Sequence, residues 1–318
     1  MRGTNGFARV CSEIDRHILT GTRRPRLTLL VVVATFSAAQ PPYEYPMIRK
    51  AIVAAKTALA RSVFWTRVAV VVRDQANTVV RIRLGDSPWV EESGERWLVE
   101  TAGPSCETFI DVGGNRGVWT DLMLRTGGRE KRGLVFEPAL PALELLRARF
   151  AGVKEIEIID KAVSDRNGTI EFYEEADAGG MSSAVAGHSL QTTTRRSVAT
   201  TTLDTAAAEA GFTTIDFVKI DVEGLDLAVL RGAQSLIAQQ RIGLIQFEYH
   251  HAWLRVGSTL RAAFMLLEGS GYDVYLLNPT GLFKPDLARY GEYFGMSNYV
   301  AVAPAWRKTL ESRVRGEL

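Results

Sequence analysis

Cysteine is scarce in this chain. Its 318 residues include two, Cys11 and Cys106. They lie far apart, with no CxxC pair and no Cys/His cluster, so neither a disulfide framework nor a structural zinc site is supported, and both read as reduced thiols. Charge of one sign is lacking as well: 38 Lys plus Arg against 36 Asp plus Glu leave a net charge of +2. Such a balance gives no global field to gather nucleic acid or an anionic membrane. The apolar run from Leu27 to Ala39, LTLLVVVATFSAA, is shorter than the roughly 18 residues that argue a membrane span. Because Arg23, Arg24 and Arg26 precede it, it has the form of a signal-peptide core, and equally of a buried strand or helix. Residues 1–46 contain no lysine, so a start at Met47 is a third reading of this end. There is no internal repeat.

What is present is an alternation. Residues 48 to about 65 carry the spacing of an amphipathic helix, and VVRIRLGDSPWV from Val79 has the alternation of a strand. Residues 1–46 are therefore read as a non-native or disordered segment and 47–104 as a helix-and-strand cover. From 105 to 303 the pattern becomes regular: ETFIDVG, VWTDLMLR, GLVFE, ALPALELLRARF and IEIIDKAV, then IDFVKID, LDLAVLRGAQSLIAQQ and IGLIQFEY, a helix from near Ser258, and the runs YDVYLL and SNYVAVA. Strands alternating with helices give a parallel sheet covered on both faces. TIEFYEE stands apart, followed by a Gly, Ser and Thr-rich stretch from about Ala176 to Thr202 that reads as a long loop. Residues 304–318 form a tail. In open α/β sheets ligands lie beyond the carboxyl ends of the strands, where strand order reverses, so the chemistry belongs just after each strand.

The first such end reads Asp111, Val112, Gly113, Gly114, Asn115, Arg116, Gly117. Glycines allow close backbone approach, and the following helix offers free N–H groups. The spacing is not GxGxxG, which weakens a dinucleotide site, and Asp111 disfavours a pyrophosphate while favouring an ammonium or hydroxyls. Glu137, at the second strand end, can accept both hydroxyls of an adenosine ribose or cap the helix entered by Pro138. At the third end, Asp160, Lys161 and Ala162 fall where an adenine would lie. The fourth end delivers Lys219, Asp221, Glu223 and Gly224, and the fifth Glu248, Tyr249 and His250. Strand alternation puts Lys219 with Asp221 and Glu248 with His250, so acids and a base converge at one sheet edge. Burial among carboxylates can raise one of them toward general-base duty.

With these residues in place the chain resembles the FkbM family of class I S-adenosylmethionine-dependent methyltransferases. The resemblance covers roughly residues 105–302 and rests on FIDVGGNRGVWT, VFEP, KAVSDRNGTIEFY, TLD, IDFVKIDVEGLDLAVLRGA and QFEYH. It implies a doubly wound, seven-stranded, mostly parallel sheet with an antiparallel last strand, and transfer of the cofactor methyl to an oxygen of a sugar, glycan or natural product. By the same resemblance Asp111, Gly113, Asn115 and Gly117 would line the methionine moiety, Glu137 the ribose, and Asp160 to Ala162 the adenine. Asp221 and Glu223 would face the reacting centre, with His250, Glu248 or Asp221 available to take the proton. Gly114 stands where the family commonly has Ala, and Arg116 is bulkier than usual.

No metal is expected, although Asp221, Glu223 and Glu248 are the place where a divalent ion would sit. The acceptor would enter over residues 179–196, where Met181, Ser182, Ser183 and His188 are contact candidates and Arg195 and Arg196 could meet an acidic group. Three other readings compete: a cofactor-binding subunit without catalysis, a nucleic-acid methyltransferase, and, weakest, a nicotinamide oxidoreductase. Near-neutral charge and the absence of an Asn/Asp-Pro-Pro-Tyr type tetrapeptide near the fourth strand argue against the nucleic-acid reading. Because the methyl donor is a cytosolic metabolite, the expected location is cytoplasmic, without a transmembrane span; the oligomeric state stays open.

Overall fold

A computed structural model describes residues 46–85, 93–176 and 180–317. The apolar run at 27–39 and the alternative start at Met47 raise questions about a leader that lie with residues outside this set. The chain divides into two compact units, residues 1–76 and 77–318. In the first, helix α1 (Pro46–Ala60) is followed by α2 (Val63–Arg83), which continues past the division. The strand expected from Val79 is instead the last turn of α2. Its β-branched residues, Val79, Val80 and Ile82, alternate with arginine in a strand-like way, but they continue a helix already 16 residues long, and extension adds a hydrogen bond per residue once the nucleus exists. Among the described residues no helix is long and apolar enough to cross a membrane.

After the end of α2, the second unit continues with α3 (Glu95–Ala102), which buries Leu98, Val99 and Ala102. Then come β1 (Thr108–Val112), α4 (Val118–Arg125), β2 (Arg132–Phe136), α5 (Leu140–Arg149), β3 (Ile156–Ile159) and the two-residue β4 (Ala162–Val163). Strands β5 (Gly168–Glu175) and β6 (Thr193–Thr201) precede α6 (Leu203–Glu209), β7 (Ile215–Ile220), α7 (Asp226–Arg231), α8 (Gln234–Ala238) and β8 (Ile242–Tyr249). The chain closes with α9 (Ala252–Arg255), α10 (Leu260–Gly269), β9 (Asp273–Asn278), β10 (Gly281–Lys284), α11 (Leu287–Tyr290), β11 (Ser297–Val302), α12 (Arg307–Leu310) and β12 (Val314–Glu317). Thr202 and Thr259 start α6 and α10 by accepting hydrogen bonds from the N–H groups of Thr205 and Ala262.

The main sheet runs β12-β10-β9-β11-β8-β7-β1-β2-β3. Seven adjacent strands, β9-β11-β8-β7-β1-β2-β3, form the expected doubly wound sheet: β3, β2, β1, β7 and β8 are mutually parallel, and β11 runs antiparallel to β8 and β9. Residues read as a tail add β12 to the edge through β10, so the sheet has nine strands. Much of the stretch expected to be a loop is strand as well, since β6 pairs antiparallel with β5 from Thr193 to Thr200 and parallel with β4 at its end. Threonines suit a pleated surface that is half solvated, which explains why a polar run forms a strand here.

Side chains alternate across the central strands. Ile110, Val112, Val218 and Ile220 pack in one core layer, while Phe109 and Phe217 face the other with Trp119 and Met123. Asp111 and Lys219 share that second face and stand directly opposite in register. Both are buried: Asp111 Oδ2 accepts from the Thr120 hydroxyl at 2.6 Å, and Lys219 Nζ lies 3.0 Å from Asp221 Oδ2 and 3.9 Å from Asp111 Oδ1. Burial pulls the Lys219 pKa down, but Asp221, Asp111 and Glu95 together raise it well above its ordinary value, so the ammonium stays charged.

Strand order reverses between β1 and β7, and at their carboxyl ends the backbones almost touch. Gly113 has φ +85°, and a Cβ on it would collide with the Asp221 carbonyl oxygen. Gly113→Ala is expected to destabilise the protein by about 3 kcal/mol through the left-handed backbone and this clash; urea unfolding checks it, and a loss under ~0.5 kcal/mol would show that the loop relaxes freely. Lys219→Met leaves buried carboxylates without a counter-charge and is expected to cost about 3 to 5 kcal/mol at neutral pH. That cost should shrink in acid, where the carboxylates are neutralised, and a pH-independent loss would contradict the electrostatic origin.

Candidate active site

A cavity of about 830 Å³ opens at the β1/β7 switch. The turn after β1 supplies Gly113, Gly114, Asn115 and Arg116 to its wall. Its two hydrogen-bonded anchors are Gly113 N–H and Gly114 N–H, both donating to the Phe136 carbonyl at the end of β2. At Gly114 a Cβ would run into Val135, and at Gly117 into Phe150 and Leu146, so glycine is fixed here by the packing behind the turn. Gly117, at φ +75°, is the residue from which α4 starts, and it does not line the cavity. Asn115 is held at φ +44°, and its side-chain Oδ1 is buried with no hydrogen-bond partner.

Glu137 crosses from β2 to brace this turn. Its Oε2 accepts from Asn115 N–H and its Oε1 from Ala139 N–H, both at 2.7 Å. The carboxyl is buried against the cavity, and burial pushes its pKa up to about 7, against the pull of those two N–H groups. Each oxygen retains a second lone pair for a hydroxyl. Beyond it, Ala139, Ala142, Ala162, Val163 and Phe172 form an apolar slot.

Besides Gly117 and His250, two more of the expected residues do not line the cavity. Asp160 is exposed and off the cavity, because β3 ends before it and the chain turns outward before Ala162 re-enters as β4. Asp111 has no exposed surface; strand alternation turns it under the floor, where it holds Lys219.

At the other end stand the acids. Asp221, Glu223, Glu248 and Lys219 all line the cavity, joined by Glu95 from α3. Burial, reinforced by Asp221, raises the carboxyls of both Glu223 and Glu248 well above the usual range. Burial also raises Glu95, which accepts a hydrogen bond from the Gln246 amide. Glu95 escaped sequence reasoning because it lies in a segment with no motif, brought to the site by the packing of α3 alone.

His250 does not reach the cavity surface. It is 1% exposed, with Nδ1 accepting from Ala252 N–H at 3.4 Å and Nε2 lying 3.6 Å from Glu248 Oε2 and 3.8 Å from Glu223 Oε2. Burial, His188 and His251 lower its pKa to about 4, so it is neutral at physiological pH. His188 comes from the stretch before β6 and binds Glu223 Oε2 through Nε2 at 2.8 Å. The Ser183 hydroxyl donates to the Glu223 carbonyl at 2.7 Å. The structure thus brings Asp221, Glu223, Glu248 and His250 together, with His188 and Ser183 as an outer brace. Arg195 and Arg196 have partners within the protein and neither lines the cavity: exposed Arg195 pairs with Glu171, and Arg196 with Glu174 at 2.9 Å and the Pro138 carbonyl.

Comparison with known proteins places the chain in a family. Residues 111–274 match the methyltransferase FkbM domain model. The 2-O-methyltransferase NoeI of Sinorhizobium fredii (strain NBRC 101917 / NGR234) is 30% identical over 185 residues, which are 54% of this chain and 73% of that protein. Among solved structures, methyltransferase FkbM from Methylobacillus flagellatus KT shows 15% identity and a TM-score of 0.39, covering 61% of this chain and 43% of that one. This chain therefore spans less than half of that structure's length. A SAM-dependent methyltransferase from Aquifex aeolicus gives 12% identity and a TM-score of 0.36 over 70% and 96% of the two chains. The family model covers just over half of the chain, including the β1 turn and Asp221, Glu223 and Glu248: this protein belongs to the FkbM methyltransferase family.

Proposed function

We propose that the chain is an S-adenosylmethionine-dependent O-methyltransferase acting on a hydroxyl of an uncharged sugar, glycan or natural product, in the cytoplasm where this donor is made. The observation that carries this reading is the pairing, in one cavity, of a buried carboxyl with two spare lone pairs, Glu137, and an unpartnered amide oxygen, Asn115 Oδ1. These suit the two ribose hydroxyls and the ammonium of the donor, and the slot of Ala162, Val163 and Phe172 suits a flat adenine. The donor supplies a methyl group activated by its sulfonium.

The remaining work is positioning, exclusion of water and removal of one proton. Four carboxyl groups, Glu95, Asp221, Glu223 and Glu248, stand at the far end of the cavity with Lys219. Burial inclines the three glutamates toward their neutral forms and Asp221 is paired with Lys219, so this end offers hydrogen-bonding carboxyls rather than an unpaired ammonium, which suits a neutral polyol. The name of the relative NoeI directs the first screen to a 2-hydroxyl.

Titration calorimetry with S-adenosylmethionine, S-adenosylhomocysteine and NADH is expected to show binding of the two sulfur compounds; binding of NADH alone would overturn the assignment. Methyl hexopyranosides incubated with methyl-labelled donor should be labelled in preference to their 2-deoxy and 6-phospho forms. Equal labelling of the 2-deoxy forms would move the reaction to another hydroxyl, and preferred labelling of the phosphates would refute the preference for a neutral acceptor. Ionised Glu137 accepts both ribose hydroxyls, whereas its protonated form accepts fewer. With its pKa near 7, S-adenosylhomocysteine should bind about tenfold more tightly at pH 8 than at pH 6 relative to Glu137→Gln, in which this dependence disappears. An unchanged dependence in the variant would remove Glu137 from the ribose site.

A further inference from the structure

We propose that Glu223 is the group that takes the proton from the reacting hydroxyl, with His188 and Ser183 as the residues that position it. This rests on the methyl-transfer reading above. The hydroxyl oxygen forms the new C–O bond while the C–S bond of the sulfonium breaks and its electron pair stays on sulfur. The hydroxyl proton passes to Glu223 Oε1, leaving a methyl ether, a thioether and a neutral carboxylic acid.

Geometry separates Glu223 from its competitors. Asp221 is committed to Lys219 at 3.0 Å, so its charge is already balanced. His250 is buried off the cavity; Nδ1 accepts a backbone N–H, which places the ring proton on Nε2, 3.6 Å from Glu248 and 3.8 Å from Glu223, so neither ring nitrogen is free to take a proton. Glu248 sits deeper, with 12% of its side chain exposed against 21% for Glu223. Glu223 has one oxygen fixed by His188 and the other turned to the cavity wall it helps to form.

The local backbone is arranged for this one side chain. Glu223 is held at φ +55°, a conformation that costs a non-glycine residue free energy and recurs at functional sites. It persists because Ser183 binds its carbonyl, and because Gly224, at φ +112°, lets the chain pass Ala252 and Val185 with no room for a Cβ. The groups facing Glu223 are His188, His250, Glu248 and Asp221, with Lys219, Glu175 and Asp226 within electrostatic reach. With both histidines neutral, Lys219 is the sole cation among these.

The test uses full-length protein labelled with [13Cδ]glutamate and loaded with S-adenosylhomocysteine. The Glu223 resonance is identified by its loss in Glu223→Gln. It is expected to titrate with a midpoint well above the 4.5 of a free glutamate, and the midpoint should move in His188→Ala and return toward the wild-type value in His188→Gln, which keeps a donor. In parallel, with the methyl hexopyranoside that is labelled fastest, Glu223→Gln should lower kcat by about 10²- to 10⁴-fold while the Kd for S-adenosylmethionine stays within threefold. Glu248→Gln should lower kcat less than tenfold. His188→Ala should lower kcat without raising KM, again with recovery in His188→Gln.

A Glu223→Gln enzyme within threefold of wild type, or a larger loss in Glu248→Gln, overturns the assignment while leaving methyl transfer intact. Failure of wild-type protein to bind S-adenosylmethionine would instead overturn the reading on which it rests. If no hexopyranoside is labelled, the titration decides: an ordinary midpoint for Glu223 overturns the proposal, and a raised one that depends on His188 supports it.

Discussion

A buried ammonium among carboxylates is costly to build and, once built, difficult to move. Lys219 stands on β7 with Asp111 opposite on β1, Asp221 ahead of it and Glu95 contributing from α3, and removal of any one partner leaves charge stranded in a medium that solvates it poorly. The neighbours depend on this pairing. Asp221 N–H donates to the Val112 carbonyl at 2.9 Å, extending the β1–β7 ladder by one residue and placing the Asp221 carbonyl against Gly113. The glycine turn, the acidic cluster and the floor between them are therefore set by one electrostatic arrangement. Asp111 contributes by orienting Lys219, and the Thr120 hydroxyl orients Asp111 in turn.

The same arrangement gives the cavity two chemically different ends. Near β2 and β4 the wall is apolar, with one carboxyl bonded to backbone N–H groups. Near β7 and β8 it is crowded with acids, and burial keeps Glu223 and Glu248 inclined toward their protonated forms. An acid pushed up in this way is a better proton acceptor near neutrality than an ordinary carboxylate, which holds a proton too weakly. Histidine, the usual candidate for such duty, is moved the other way: His250 is driven down to about 4 by burial and by two neighbouring imidazoles. Four histidines occur in the chain, and His188, His250 and His251 gather here.

The sheet was legible because its central strands are continuous apolar runs ended by polar residues, a pattern that follows from burial on both faces. KIDVEG and DVGGNRG mark the two strand ends that meet at the switch, and alternation placed Lys219 with Asp221 and Glu248 with His250, as the distances bear out. What periodicity could not supply was depth. It put Asp111 and His250 near the right strand ends without showing that one is turned beneath the floor and the other sealed behind the wall. It also missed residues that arrive from other elements. Glu95 is set by the docking of α3, and the strand character of Thr193–Thr201 depends on pairing with β5 rather than on an apolar face. Val79–Arg83 failed for the opposite reason, since a local alternation was overridden by a helix already under way.

Two non-glycine residues with positive φ, Asn115 and Glu223, stand at the cavity, one at each of the turns that follow β1 and β7. Each such residue costs on the order of 1 to 3 kcal/mol, so the structure must hold it in place. The restraints are the functional candidates themselves. Glu137 holds the Asn115 N–H, while Ser183 and His188 hold the carbonyl and carboxylate of Glu223. A substitution that relaxed either turn would gain stability and, by letting Asn115 Oδ1 find a partner or Glu223 swing to solvent, lose the placement that a ligand would use. Strain and binding are thus coupled through the same few hydrogen bonds. That coupling accounts for why neither residue is a glycine, although a glycine would satisfy each turn at lower cost: the backbone would be easier, but the side-chain oxygen at the cavity wall would be gone.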